Sequence, residues 1–141
     1  MKTLKSLTAA LLVVLSASAF ATDNISNNKL QADYAVNTYI NAVSNGNLEG
    51  LAEVLDNGVK FTSARGTEII SHNKSEVLNS LKANTNVKQN CETDYSMVEV
   101  NPSMAVVKVS MKYAEFTKIS FVTMANTSGG WKITNVSSSF N

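Results

Sequence analysis

Apolar and polar residues alternate most regularly in the last third of the chain, residues 104–140. Ala105, Val107, Val109, Met111 and Tyr113 share one parity, and Lys108, Ser110 and Lys112 largely fill the other. That two-residue period predicts a half-buried strand over Met104–Tyr113. Further strands are expected over Phe116–Ala125 and Trp131–Phe140. The first of these puts Ile119 and Phe121 on one face, Val122 and Met124 on the other. Between them, Asn126-Thr127-Ser128-Gly129-Gly130 is rich in residues that tolerate positive φ and predicts a turn.

Upstream the period becomes helical. Ala32, Val36, Tyr39, Ile40 and Val43 predict a helix over Lys29–Ser44, capped by Asn28 and stopped by Asn45-Gly46. Asn47 is placed to cap a short second helix, Leu48–Leu55, which the turn Asp56-Asn57-Gly58 ends. Val59–Ala64 and Thr67–Ser71 read as short strands about an Arg65-Gly66 tip. Asn73 with Glu76 three positions on forms a capping-box pattern, opening a third helix that reaches Ala83 and buries Val77, Leu78 and Leu81. A strand over Glu92–Val100 follows, closed by Asn101-Pro102-Ser103. Helices set against a mostly antiparallel sheet make an α+β domain.

The first residues change the picture of where this domain works. Met1-Lys2-Thr3-Leu4-Lys5 is basic, Leu7–Leu15 is apolar, and Ala19-Phe20-Ala21 supplies the small residues of a signal-peptidase site. The apolar run is shorter than the roughly 20 residues that span a bilayer. Residues 1–21 are therefore expected to be a signal peptide, 22–28 a flexible leader and 29–141 the folded domain, exported to the periplasm or beyond. Loss of Lys2 and Lys5 takes the 12 basic residues to 10 against 11 acidic ones. No basic stripe remains to hold nucleic acid, and no amphipathic basic helix to hold a membrane surface. Cys91 is the single cysteine, so no internal disulfide can form.

Four stretches together carry a resemblance. They are Asn47–Leu55, Val59–Ser63 with Gly66 beyond it, Ile70–Leu78, and Met104–Val109 with Gly129-Gly130-Trp131-Lys132-Ile133 opening the last strand. In this order and spacing the chain, from about Leu30 to Phe140, resembles the nuclear transport factor 2-like superfamily. That is the fold shared by ketosteroid isomerase, scytalone dehydratase and the SnoaL-like cyclases. The resemblance implies a cone: a curved, mixed or antiparallel sheet of about six strands wrapped around three helices of the N-terminal half. It also implies a pocket at the open end and a homodimer through the outer face of the sheet.

Enzymes of this fold commonly carry an Asp or an Asp–His pair in the pocket, often with Tyr. The titratable groups on offer here are Asp33, Glu68, His72, Glu92, Asp94 and Glu115. His72 lies just ahead of the third helix, and the unperturbed pKa of a histidine, about 6.5, would suit proton transfer; the alternative is a surface histidine. Asp94 could act as a base if it faced the cavity, which would turn Tyr95 the other way; the alternative is a solvated carboxylate on the outer face. Tyr39, Phe61, Tyr113, Phe121 and Trp131 are candidates for an aromatic pocket wall, or else simple core. Arg65 at its hairpin tip is either exposed or a carboxylate clamp. Metal-ligand spacing, a phosphate loop and a serine elbow are all absent, so no metal or cofactor is expected. The reading favours a non-catalytic protein that binds a small apolar molecule or a protein partner. An isomerase, dehydratase or cyclase using His72 or Asp94, with Tyr39 or Tyr113 donating, is the rival. Pure assembly through the sheet is the third.

Overall fold

The computed structural model of the protein describes residues 31–141. The expected signal peptide (1–21), the leader (22–28) and the Asn28 cap lie outside the described residues. The elements run α1 (Ala32–Asn45), α2 (Leu51–Val54), β1 (Leu55–Arg65), β2 (Glu68–Asn73), α3 (Lys74–Lys82), β3 (Glu92–Val100), β4 (Met104–Lys112), β5 (Thr117–Thr127) and β6 (Gly130–Phe140). The strands form one sheet in the order β2-β1-β6-β5-β4-β3. Only β1 and β6 pair in parallel; the other neighbours are antiparallel.

Helix α1 lies across β4, β5 and β6 and buries Ala35, Val36, Tyr39 and Ala42 against them. The strands answer with Val107, Val109, Val122, Met124, Ile133 and Val136, each 1% exposed or less. Val122 and Met124 thus face the core, and the outer side of β5 presents Thr117, Ile119, Phe121 and Thr123 instead. The helix ends where its sequence says it must. Gly46 adopts φ +69° and returns its N–H to Ala42 O, a left-handed stop that glycine makes at no steric cost. The segment after α3 crosses this stop closely, with Asn86 N donating to Gly46 O and Gln89 N to Ser44 O.

The second helix is shorter than its apolar pattern suggests. Asn47 Oδ1 accepts from Glu49 N in a local turn, Gly50 sits at φ +77°, and the helix proper begins only at Leu51. Leu55 already belongs to β1, paired with Ile133. The expected turn at Asp56-Asn57-Gly58 is an irregularity inside that strand, where the register shifts between Leu55 and Lys60 and Asp56 Oδ2 accepts from Gly58 N. A bulge of this kind bends a strand without ending it.

The capping box of α3 is present in full: Glu76 N donates to Asn73 Oδ1 at 3.0 Å and Asn73 N to Glu76 Oε2 at 2.8 Å. None of its side chains is buried, however. Leu78 and Leu81 pack against the core while half exposed, because α3 covers the margin of the sheet beside the exposed strand β2. Strand β3 matches its expected bounds and is the opposite edge, with only Tyr95 half-buried.

Adding a methyl at Gly46 would bring Cβ to 2.7–2.8 Å from Asn86 N, Asn84 O and Val87 N, all backbone. With the left-handed φ, Gly46→Ala is expected to cost at least about 2 kcal/mol. A urea unfolding curve superimposable on wild type would refute this tight crossing.

Candidate functional site

Register partners share a face of the sheet, so the helix-bearing side can be read as successive rungs. The innermost of three carries Val107, Val122, Val136, Phe61 and His72. The next carries Val109, Ser120, Ser138, Ser63 and Ile70. The third, nearest the β4–β5 and β1–β2 hairpin tips, carries Met111, Lys118 and Phe140, with Arg65 alongside. Chemistry therefore changes rung by rung: apolar, then hydroxyl, then cationic and aromatic.

The hydroxyl rung is closed. Ser120 Oγ and Ser138 Oγ are 2.7 Å apart and buried, and the Tyr39 hydroxyl on α1 is buried beside Ser120. Burial pushes the Tyr39 phenol up to about 12, with the Ser120 hydroxyl opposing it. Among the described residues no buried side-chain nitrogen or oxygen lacks a partner.

The outer rung is open. A cavity of about 460 Å³ is lined by Ala64, Arg65, Gly66, Phe116 and Phe140. The Arg65 guanidinium lies 5.2 Å from the centre of the Phe140 ring. Phe116 tilts against Phe140 at 6.0 Å and stacks on Tyr113 at 4.5 Å. Tyr113 in turn donates to Gln89 Oε1 at 3.3 Å, and burial and the neighbouring Cys91 raise its pKa. Lys118, the register partner of Phe140, has its pKa lowered, first by burial and then by the charge of Arg65. The only acid–base side-chain contact of ion-pair length among the described residues joins His72 Nδ1 to Glu76 Oε2, at 3.6 Å, and it carries opposite charges only when the imidazole is protonated. Arg65 and Lys118 therefore have no carboxylate partner there. Glu68 is the register partner of Arg65 but stands exposed.

The candidates read from sequence scatter. Tyr39 and Trp131 are core residues, 3% and 9% exposed, and Phe61 is half-buried beneath the hydroxyl rung. Tyr113 supports the mouth through Phe116. Phe121 is on the convex side, opposite Lys108 and Ser137, and 42% exposed. It cannot line the cavity, because its parity is that of Ile119 rather than Ser120. Asp94 is likewise convex and exposed, opposite Ser110, while Tyr95 turns inward and donates to Asp33 Oδ1. His72 is on the helix side with its side chain 51% exposed. His72 and Asp94 occupy opposite edges and opposite faces of the sheet, so they cannot share a substrate. Among the described residues no group of three acidic, His or Cys side chains could hold a metal.

Sequence reasoning does not assemble this mouth. Lys118, Phe116 and Phe140 are the residues it misses, and Arg65 is exposed yet folded over an aromatic ring rather than free at a tip. A signal for Lys118 does exist in the chain, since it shares parity with Ser120, Val122 and Met124 on the buried side of β5.

A six-stranded curved sheet, helices on its concave side and an opening at one end define a nuclear transport factor 2-like domain, also described as cystatin-like. The chain belongs to the family described as putative lumazine-binding, whose model matches residues 27–139. Among solved structures it resembles a nuclear transport factor 2-like protein of unknown function from Silicibacter pomeroyi, at 16% identity and a TM-score of 0.67 over 83% of this chain and 98% of that one. A nuclear transport factor 2-like protein from Rhodospirillum rubrum, of unknown function in nutrient uptake, aligns at 20% identity and a TM-score of 0.61, covering 79% and 98%. A ketosteroid isomerase-like protein from Erwinia carotovora atroseptica aligns at 12% identity and a TM-score of 0.54, covering 80% and 95%. At such identities the likeness is one of fold. No curated protein sequence matches the chain.

Lys118 is a stability liability at neutral pH. In the unfolded chain it titrates near 10.5, and in the fold it releases its proton earlier. The folded state therefore gains stability as pH rises through that window. Lys118→Met is expected to raise the thermal midpoint at pH 7, with the gain shrinking towards pH 11. Melts showing no gain at pH 7 would remove the burial cost assigned to this lysine.

Proposed function

We propose that the protein is an exported, non-catalytic binding protein that holds a flat small molecule at the mouth of its cone. The observation that carries this reading is the open cavity of about 460 Å³ walled by Phe116 and Phe140 and roofed by Arg65. Flat rings gain both apolar burial and face or edge contacts from such a pair of phenyl groups. The family description names lumazine, a flat bicyclic heterocycle, and a ligand of that shape suits the cavity. The arrangement gives less support to acid–base catalysis. Asp94 faces outward and His72 points to Glu76, so neither reaches the aromatic mouth with a partner. The basic, apolar and small-residue order of residues 1–21 supports export. A homodimer through the convex face, where Ile119 and Phe121 present apolar surface, is part of the same proposal.

Lumazine fluorescence titrated with the purified protein is expected to saturate with a Kd on the order of micromolar. Phe140→Ala should weaken it about tenfold, the loss of one good aromatic contact, while His72→Ala and Asp94→Asn leave it unchanged. If neither lumazine nor other flat bicyclic heterocycles saturate, the mouth is not a ring-binding site. A Kd that moves with His72 or Asp94 and ignores Phe140 would return the function to the rival, catalytic reading.

A further inference from the structure

We infer that the mouth of the cone selects a flat ring bearing an oxyanion, a carboxylate or a phosphate, with Arg65 and Lys118 as its two recognition cations. The inference rests on the ring-binding reading above and adds to it the charge of the ligand. Two positive side chains meet around Phe140: Arg65 lies over its ring and lines the cavity with it, and Lys118 is its register partner on β5, close enough for the two charges to repel. Elsewhere such a pair is normally neutralised by Asp or Glu. Here neither enters an ion pair among the described residues, and the nearest register carboxylate, Glu68, stands in solvent.

The geometry suits an anion attached to a ring better than a free one. The Arg65 guanidinium carbon sits over the Phe140 ring, 5.2 Å from its centre. A guanidinium in such a contact keeps N–H groups free to grip two oxygens side by side. Lys118, on the neighbouring strand beside Phe140, supplies a compact second charge from a partly desolvated site, where a charge–charge contact is screened less than at an open surface. A ligand ring resting against Phe116 and Phe140 would carry its oxyanion to both groups. The bound anion would also relieve the repulsion between them, so binding energy and fold stability rise together.

The test compares lumazine with lumazine-6-carboxylate, which have the same ring and differ by one carboxylate. At low salt the carboxylate is expected to bind wild type on the order of tenfold tighter, as a charge-assisted hydrogen bond gives. Lys118→Met and Arg65→Gln should each erase that advantage while leaving lumazine itself bound, and Lys108→Gln, a cation on the convex face, should preserve it. Carboxylate bound and lumazine not bound would support the inference, with the oxyanion contributing most of the affinity. Equal affinities in wild type would overturn the inference and leave the ring-binding reading standing. An advantage that survives Lys118→Met and Arg65→Gln would also overturn it. Failure of both compounds to bind would overturn both readings. Since Lys118→Met is expected to be more stable than wild type, its loss of selectivity cannot be assigned to unfolding.

Discussion

Helix α1 presents Ala35, Val36, Tyr39 and Ala42 on one side, and the concave face of β4, β5 and β6, together with the short second helix, covers them. That single burial sets the shape of the domain. A flat sheet would meet the helix along a line, whereas a curved one wraps it. The strands curve with the help of three register shifts: in β1 before Lys60, in β3 after Met97, and opposite Thr123–Met124 in β6. Extra residues in one strand of a pair bend it and increase its twist. Tyr39 makes the helix contact specific as well as apolar. Its hydroxyl would be expensive to bury alone, so the sheet supplies Ser120, and Ser120 is completed by Ser138. Sliding α1 along the sheet by a turn would separate these groups.

The same constraint leaves a mouth. Beyond the hydroxyl rung the sheet continues to Lys118 and Phe140, while α1 stops at Asn45. The strand ends there are roofed by their own hairpin residues, Arg65 and Phe116, rather than by a helix. The part of the concave face that stability does not need is thus the part available to a ligand. Lys118, partly buried there beside the charge of Arg65, is a local sacrifice of stability.

Much of this architecture is legible in the amino-acid sequence. Strands β3 to β6, the capping box at Asn73 and Glu76, and the Gly46 stop all follow from local rules and lie close to where those rules put them. What local rules cannot supply is parity relative to the helix. Phe121 and Ser120 are neighbours in sequence, and aromatic character alone favours Phe121 as the pocket residue. Yet Val122 and Met124 are the pair that α1 needs, and they carry Ser120 and Lys118 inward with them. The mouth depends further on hairpin tips meeting across strands β1, β5 and β6. Arg65 and Phe140 lie 75 positions apart in the chain, and no local pattern records their contact. The second helix departs from its pattern for a different reason: Leu48 and Leu51 have helical spacing, but a left-handed Gly50 between them breaks the turn.

The parallel pairing of β1 with β6 has a bearing on when the protein can fold. The hairpin β1–β2 and the helix α3 that rests on it reach the rest of the sheet only through β6, the last strand in sequence. Until that strand has been made, β1 has no partner on its inner side and α1 has only part of its cover. Closure of so long a stretch is slow, because the entropy of the loop is lost before the contacts repay it. The sheet therefore cannot be completed until β6 is available.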